Sequence, residues 1–378
     1  MKIEAFGVEI WMNAHENACR HNIAETCVDS ITFGDLMALA GKSADILGEL
    51  SAMKLTYGAI EGSARLRAAI AALYPGQVAE DVLVTHGAAG ANALLYEALI
   101  EPGDEIVSFT PTYQQHTSIP AAYGARVTQL RLQAGAGYLP DLAELAELVT
   151  PKTKLIALTN PNNPTGAVMD EARLRGVAEI AARHGAWVIC DEVYRGVNQD
   201  DDDLPASIVE IYPRGIAVGG MSKAFALAGL RLGWIVEPPE VRHQVMIHRD
   251  YTTISVGIID ELIASIALEH KDALIARNRG IVRANLAIVE AWAATEPLIS
   301  WLQPAGATVT LLNYALDMTS ETFCTRLLEE EGVLLTPGSV FGMEGSVRRG
   351  FGNGTETLIA GLAGLSRFLK FVRPGRDR

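Results

Sequence analysis

The chain has fewer basic than acidic residues, no long apolar run and few cysteines, and each shortage excludes something. Its 31 Lys and Arg residues stand against 45 Asp and Glu, and the net charge of −14 argues against binding to nucleic acid or an anionic membrane. No apolar run approaches the roughly 20 residues that span a bilayer, and the segment Met1 to Glu4 does not begin a signal peptide. We therefore expect a cytoplasmic protein.

The few cysteines exclude a disulfide framework or a zinc site. Their spacing shows no paired metal-ligand pattern, so we expect reduced thiols and no metal. They are Cys19, Cys27, Cys190 and Cys324.

Apolar residues make up 49% of the chain, enough for a large core and, at 378 residues, about two domains. From about residue 82 to 236, short apolar strands alternate with helical stretches. This pattern predicts an α/β fold with a mostly parallel sheet covered by helices. A helical region from about 257 to 292 leads into a smaller α+β domain. The acidic run Asp200 to Asp203 is expected to be a solvated loop.

The most informative segment contains Lys223, which follows the apolar run Ile216 to Val218 and stands directly after Ser222. Arg231 comes eight residues later. An amine condenses with an aldehyde, and a guanidinium forms charge-assisted hydrogen bonds with phosphate oxygens. Pyridoxal phosphate carries both groups and fits this cluster. Taken alone, the segment is explained equally well by two ordinary solvated cations.

Polar residues also follow two other apolar runs. The turn Asn160 to Gly166 contains two prolines that restrict the backbone and hold the asparagine amides in one orientation. Asp191 ends another apolar run and needs a partner, because an unpaired carboxylate is costly in a dry interior. Open α/β sheets bind ligands at the carboxyl ends of their strands, so Asn163, Asp191 and Lys223 are expected to meet there.

The stretch from Val82 to Ile100 contains a pattern suited to phosphate. Val82 to Thr85 is typical of a strand, His86 to Gly90 of a small-residue turn and Asn92 to Ile100 of a helix. The start of a helix leaves backbone N–H groups unpaired, and these are natural phosphate ligands. By itself, the stretch is better explained as a plain strand-to-helix connection.

In this order, the motifs resemble those of class I and II aminotransferases, which are pyridoxal-phosphate enzymes of the aspartate aminotransferase fold. One short motif is weak evidence, but eight in the family's order are strong. The resemblance extends from about Tyr57 to Phe351. Its parts are Tyr57-Gly58, Gly87-Ala88-Ala89, Pro111-Thr112-Tyr113, the Asn160 to Gly166 turn, Asp191 to Tyr194, Ser222-Lys223, Arg231 and Arg348.

The resemblance implies the architecture called PLP fold type I. Residues 36–275 would form the large cofactor-binding domain, and residues 1–35 and 276–378 the small domain. It also implies a homodimer with shared active sites, because Tyr57 resembles a tyrosine that reaches the phosphate from the neighbouring subunit.

The resemblance assigns catalytic roles to Lys223, Asp191 and Tyr194. Lys223 would form the internal aldimine and, once displaced by substrate, move a proton between Cα and the cofactor. Asp191 would keep the pyridine nitrogen protonated, so that the ring accepts electrons when the Cα proton leaves. Tyr194 and Asn163 would donate hydrogen bonds to the phenolic oxygen, and Tyr113 would stack on the ring.

Other residues would hold the phosphate and the substrate. The implied phosphate ligands are Gly87, Ala88, Ala89, Ser222, Arg231 and, from the second subunit, Tyr57. Arg348 aligns with the family's Arg-x-Gly-aromatic pattern and would bind the substrate α-carboxylate in a bidentate fork, with Asn163 as a further substrate-binding residue. Arg349 would point to the opposite side, because side chains alternate along a strand.

Two positions depart from the family pattern. Gly220 stands where many members carry a serine or threonine that binds phosphate, and residues 26–36 replace a glycine-rich substrate loop. Residues 26–36 and the segment Arg249 to Ser255 look more like capreomycidine synthase and its relatives, which catalyse β-elimination and ring closure on a hydroxyarginine. Against that branch, Asp191 to Tyr194 keeps the ordinary aminotransferase form.

Transamination between an L-amino acid and a 2-oxo acid is therefore the first expectation, and a PLP-dependent lyase or cyclase is the alternative. A non-enzymatic regulator on the same fold has little support, because the chain has neither spare length nor basic charge for a DNA-binding domain.

Some residues near these motifs have no assigned partner. Arg249 and Arg349 are candidates for a distal substrate carboxylate, and His86 and His116 are expected to be structural or solvated. Candidates for the side-chain pocket, by resemblance of position, are Trp11, His15, Phe33 and Tyr251.

Overall fold

The computed structural model describes residues 2–43, 45–200 and 203–372, and three sheets organise them. The strands are His21–Asn22 (β1), Val82–Thr85 (β2), Glu105–Thr110 (β3), Arg126–Arg131 (β4), Thr153–Thr159 (β5), Trp187–Asp191 (β6), Gly215–Gly220 (β7), Gly233–Val236 (β8), Ile299–Trp301 (β9), Val309–Tyr314 (β10), Val333–Leu334 (β11), Thr336–Pro337 (β12) and Ser346–Gly350 (β13). The helices are Gly7–His15 (α1), Phe33–Leu39 (α2), Ile46–Ala52 (α3), Ala64–Ala71 (α4), Gly87–Leu99 (α5), Gln115–Ala122 (α6), Leu142–Leu148 (α7), Glu171–His184 (α8), Ile208–Ile211 (α9), Pro239–Arg249 (α10), Ile258–Glu269 (α11), Lys271–Ala293 (α12), Ser320–Glu331 (α13) and Thr355–Val372 (α14).

The central sheet has seven strands in the order β2-β8-β7-β6-β5-β3-β4. Strands β3 to β7 pair in parallel, whereas β8 is antiparallel to both of its neighbours. The middle strands β5, β6 and β7 are almost wholly buried, which explains why their sequences are continuous apolar runs. The predicted α/β fold with a mostly parallel sheet is confirmed.

A smaller α+β unit combines both ends of the chain. Its four-stranded antiparallel sheet has the order β12-β13-β10-β9, and β1 pairs in parallel with β11. The indole N–H of Trp11 donates to the backbone oxygen of Leu335 at 2.8 Å, which ties α1 to the same unit. Helices α2 and α12 run across the predicted domain boundaries, so the division at residues 36 and 275 stays a prediction.

Parts of two predictions lie outside the described residues. These are Asp201 and Asp202 of the acidic run, and Met1 and residues 373–378 of the predicted small domain. Within the described parts, no helix is both long and apolar enough to cross a membrane.

The start of α5 was predicted wrongly. His86 to Gly90 was expected to be a turn before a helix at Asn92, but the helix already begins at Gly87. Alanine has the highest helix propensity, and the alanines at positions 88, 89 and 91 extend the helix toward its N-terminus. The predicted helical region 257–292 is two helices, α11 and α12, which meet at His270.

Glu237, just after β8, gives a prediction about pH and stability. Its side chain is buried, neither carboxylate oxygen has a hydrogen-bond partner among the described residues, and Arg242 Nε lies 3.9 Å away. Burial raises the pKa of Glu237 to about 8, and Arg242 and Arg249 offset only part of this effect. Between its ordinary pKa and pH 8, the folded protein keeps a proton that the unfolded chain has lost, so stability falls as pH rises.

Glu237→Gln is expected to remove this loss. Between pH 6 and pH 8, the free energy of unfolding of the variant should gain about 2 kcal/mol relative to the parent. Denaturant unfolding at both pH values measures the difference, with the exposed Glu240→Gln as the control. A difference that stays constant across this range contradicts the account.

Candidate active site

A cavity of about 440 Å³ lies at the carboxyl ends of β5, β6 and β7. Helix α1, residues 24–27, the first turn of α5 and strand β13 complete its walls. The predicted site residues that line it are Ala88, Ala89, Tyr113, Asn163, Asp191, Tyr194, Ser222, Lys223, Arg231 and Arg348. The fold thus brings together residues that are separated by up to 260 positions between Ala88 and Arg348.

Two predicted residues do not line this cavity. Gly87 lies just behind it, where an added Cβ would approach Arg231 Nη2 to 3.0 Å. Tyr57 is 76% exposed and does not reach the cavity of its own chain.

Asp191 is held by a buried polar network. Its Oδ2 accepts a hydrogen bond from Asn92 Nδ2 at 3.0 Å, and its Oδ1 accepts from the backbone N–H of Val193 at 3.2 Å. His116 Nε2 lies 3.7 Å from Oδ2, and its Nδ1 is hydrogen-bonded to the Tyr96 hydroxyl at 2.7 Å. These contacts place the carboxylate while leaving it at the cavity wall.

Sequence reasoning missed Asn92 and left His116 without a function. Asn92 was the one polar side chain in the helix sequence from Gly87 to Leu99 apart from Tyr96 and Glu97, and that interruption of an apolar face was the available signal. His116 is structural, as expected, but it packs behind the catalytic candidate Asp191.

Arg348 enters the cavity from β13 with 2% of its surface exposed. Its Nη1 donates to Asn163 Oδ1 at 3.3 Å and its Nη2 to Thr336 Oγ1 at 3.2 Å, whereas Nε has no partner among the described residues. Burial lowers the pKa of this guanidinium, opposed by Tyr194 and Glu25. A buried cation with spare donors favours an anionic ligand such as a carboxylate.

Arg349 and Arg249 do not serve the cavity. Both are fully buried and neither lines it, and Arg349 Nη2 donates to the backbone oxygen of Gly350 at 3.2 Å. The suggestion that either binds a distal substrate carboxylate is therefore wrong for the cavity of this chain. Alternation along β13 explains why only one of the two adjacent arginines reaches it.

The first turn of α5 forms one end of the cavity, opposite Arg231. Arg231 Nη1 donates to the Ala228 backbone oxygen at 3.1 Å and lies 3.5 Å from Ser222 Oγ. Gly233 lets β8 approach closely, because an added Cβ there would lie 2.4 Å from the Ala88 nitrogen. Backbone N–H groups, a hydroxyl and a guanidinium together fit a phosphate.

Lys223 is half-buried next to residues 25–27. Its Nζ donates to Thr26 Oγ1 at 2.5 Å and to Cys27 Sγ at 3.4 Å. Burial alone would lower the pKa of this amine, but Cys27, Tyr194 and Glu25 outweigh burial and raise it. The buried Tyr194 hydroxyl has no hydrogen-bond partner in the described parts of the chain, and burial raises its pKa, so it keeps a proton to donate.

The substrate side of the cavity is formed by α1. The predicted pocket residues do not line it in the single chain; they are Trp11, His15, Phe33 and Tyr251. Other positions of α1 do: Val8, Glu9 and Met12, followed by Glu16 at the end of the helix. Glu9 Oε1 accepts a hydrogen bond from the Tyr113 hydroxyl at 2.8 Å. Sequence position predicted the correct helix but not which of its faces points inward.

The residues present fit pyridoxal phosphate. An orphaned buried hydroxyl, a carboxylate at the end of a buried strand, a half-buried amine and a helix start are arranged around one cavity. The fold and this site define a pyridoxal-phosphate enzyme of fold type I.

Comparison with known proteins identifies the family. The sequence model of "Aminotransferase class I and II" matches residues 40–364, so the chain belongs to that family. Capreomycidine synthase of Streptomyces vinaceus is 33% identical over 100% of this chain and 96% of its own length.

Two solved structures match over nearly their whole length. A PLP-dependent aminotransferase from Streptococcus suis 89-1591 is 44% identical, with a TM-score of 0.96 and 100% coverage of both chains. The PLP-dependent cyclase OrfR is 33% identical, with a TM-score of 0.90 and 98% coverage of both chains. These likenesses include both an aminotransferase and a cyclase.

Proposed function

We propose that the protein is an aminotransferase that moves an amino group from an L-amino acid to a 2-oxo acid. The observation that carries this proposal is the shared cavity of Lys223, Asp191 and Arg348. An amine, a buried carboxylate and a buried guanidinium are suited to acid–base work, to the cofactor's ring nitrogen and to a substrate carboxylate, in that order.

The cofactor would be held at both ends. Asp191 would pair with the pyridine nitrogen, and the Tyr194 hydroxyl and the Asn163 amide would donate to the phenolic oxygen. Asn163 Oδ1 accepts from Arg348, which leaves the Nδ2 group as the donor. The phosphate would be bound by Ser222, Arg231 and the first turn of α5. When bound, the cofactor supplies an electron sink for the bond that breaks at Cα.

Residues of the chain would direct that bond breaking. Arg348 would bind the α-carboxylate in a bidentate fork and so fix the orientation of Cα relative to the ring. Lys223, free of its covalent bond to the cofactor, would remove the proton at Cα and deliver it to the cofactor's C4′ carbon. Asp191, oriented by Asn92, would keep the ring nitrogen protonated throughout.

A PLP-dependent lyase or cyclase is the second candidate. It is supported by the likeness to capreomycidine synthase and OrfR, and it would use the same cofactor residues. The two reactions differ after proton removal: transamination leaves the amino group on the cofactor, whereas elimination and ring closure leave the cofactor unchanged.

One half-reaction separates the two candidates. The holoenzyme is mixed with single amino acids in the absence of a 2-oxo acid, while the cofactor spectrum and the products are followed by absorbance and mass spectrometry. Transamination is expected to convert the cofactor stoichiometrically to pyridoxamine phosphate, with one equivalent of the matching 2-oxo acid. Repeated turnover that yields ammonia, an eliminated fragment or a cyclised amino acid contradicts the proposal and supports the second candidate.

We also infer that the protein acts as a cytoplasmic homodimer. Tyr57 is 76% exposed, beside Leu55 at 79%, and Tyr251 is 88% exposed. Large apolar side chains in this exposed state favour an interface. In a dimer, Tyr57 would complete the phosphate site of the second subunit, which accounts for its absence from the cavity of its own chain.

Tyr57→Phe is expected to weaken cofactor binding while leaving the dimer intact. Loss of a hydrogen bond to a charged phosphate should raise the Kd for pyridoxal phosphate about tenfold. Titration of cofactor-free protein measures Kd, and sedimentation measures the oligomeric state. Tyr138→Phe is the control, since Tyr138 is buried and does not line the cavity. A monomeric parent protein, or an unchanged Kd, contradicts the inference.

A further inference from the structure

The segment Glu25 to Cys27 contacts the amine of Lys223 directly. Thr26 Oγ1 accepts from Lys223 Nζ at 2.5 Å, and Cys27 Sγ lies 3.4 Å from the same nitrogen. A glycine-rich loop, expected at this place from the family pattern, has no side chain that makes such a contact.

The segment is held in place from two sides. Glu25 Oε1 accepts hydrogen bonds from the backbone N–H groups of Thr26 at 2.7 Å and of Cys27 at 2.8 Å. On the other side, Thr308 Oγ1 donates to the Thr26 backbone oxygen at 2.6 Å. These bonds leave the Thr26 hydroxyl with a defined position next to Lys223.

Two glycines seat the segment on the chain that carries Arg348. An added Cβ at Gly350 would lie 1.8 Å from the Glu25 backbone oxygen, and one at Gly352 would lie 2.8 Å from the Cys27 backbone oxygen. Only glycine permits this approach, since real Cβ atoms do not come so close to backbone oxygens. The contact to Lys223 and the proposed carboxylate anchor therefore belong to one packed substructure.

We infer that Thr26 is a positioning residue that holds the free amine of Lys223 in place for proton transfer at the substrate Cα. The inference rests on the proposed role of Lys223 as the base. A lysine amine ends a flexible four-carbon chain, and fixing one N–H at Thr26 limits the directions in which its lone pair points. After the amine takes a proton, the ammonium group still donates to the same oxygen.

Charged and titratable groups around Lys223 set the background for this effect. Those whose charge or proton acts on the amine are Cys27, Tyr194, Glu25 and Tyr113. Burial opposes the charge on Glu25, but Lys223 and the two backbone N–H groups outweigh burial and lower the pKa of this carboxyl. Glu25 therefore provides charge near the ammonium, while Thr26 provides direction. The thiol of Cys27 is the weaker acceptor at the longer distance.

Three variants test the inference in the holoenzyme. Thr26→Val removes the hydroxyl at nearly constant volume and is expected to lower kcat roughly 10- to 100-fold, with KM changed by less than about threefold. Thr26→Ser keeps the hydroxyl and should recover most of kcat. Cys27→Ala should lower kcat by less than Thr26→Val does. If Thr26→Val turns over like the parent, or Thr26→Ser is as slow as Thr26→Val, the positioning role is wrong.

A second readout does not depend on turnover. The full-length chain is stripped of cofactor, and acetylation of Lys223 by acetic anhydride is followed against pH by peptide mass spectrometry. Loss of the acceptor that stabilises the ammonium form should shift the labelling midpoint of Thr26→Val about one unit toward lower pH, and Thr26→Ser should restore it. The acidic limb of the kcat profile should shift in the same direction.

The labelling result separates this inference from the proposed function. A midpoint that moves with Thr26→Val and returns with Thr26→Ser supports the contact even if the enzyme turns out to eliminate or cyclise its substrate. An unchanged midpoint overturns the inference, whatever reaction the enzyme catalyses.

Discussion

Lys223→Ala is expected to lower turnover by at least about 10⁴-fold, because the substitution removes both the covalent attachment of the cofactor and the base that acts at Cα. The fold should survive. The Lys223 amine contacts only the side chains of Thr26 and Cys27 by hydrogen bonds, and it contributes nothing to the apolar core.

The measurement compares kcat, cofactor absorbance and Tm of the variant with those of the parent. Lys370→Ala, an exposed lysine on α14, is the matched control. The variant should bind pyridoxal phosphate reversibly, without the spectrum of the lysine-bound form. Turnover within about tenfold of the parent contradicts the assignment, whereas loss of the folded state would point to a structural role for the amine.

Asp191→Asn is expected to lower turnover about 10³-fold while the cofactor remains bound. The amide keeps the size of the carboxylate and can still accept the hydrogen bond from Asn92, but it does not provide the negative charge that keeps the ring nitrogen protonated. The loss should therefore appear in kcat rather than in cofactor occupancy.

Cofactor released by alkali gives the occupancy, and steady-state kinetics give kcat. Asp272→Asn is the control, because the side chain of Asp272 is 94% exposed. Unchanged turnover of Asp191→Asn shows that another carboxylate serves the ring nitrogen. Complete loss of cofactor shows instead that Asp191 mainly binds rather than activates.

The central sheet was predictable because its strands are wholly buried. β5, β6 and β7 appear in the sequence as apolar runs, and the polar residues after them lie at one sheet edge by the geometry of parallel strands. Asn163, Asp191 and Lys223 could therefore be placed near one another without knowledge of the loops.

The residues around that edge could not be predicted in the same way. Asn92, His116 and Thr26 reach the site through packing between elements that are distant in sequence, and no local pattern encodes such packing. The start of α5 was missed because a glycine with left-handed backbone begins the helix rather than preceding it. For α1, the inward face depends on its contact with the C-terminal unit, as the Trp11 to Leu335 bond shows.

The central claim, that Lys223 carries the cofactor, is tested most directly by reduction of the purified holoenzyme with sodium borohydride followed by peptide mass spectrometry. The account predicts a pyridoxyl phosphate group on the peptide that contains Lys223, at close to one per chain, and none on the Lys223→Ala variant. Stable modification of a different lysine, or none at all in protein that holds the cofactor, would contradict it.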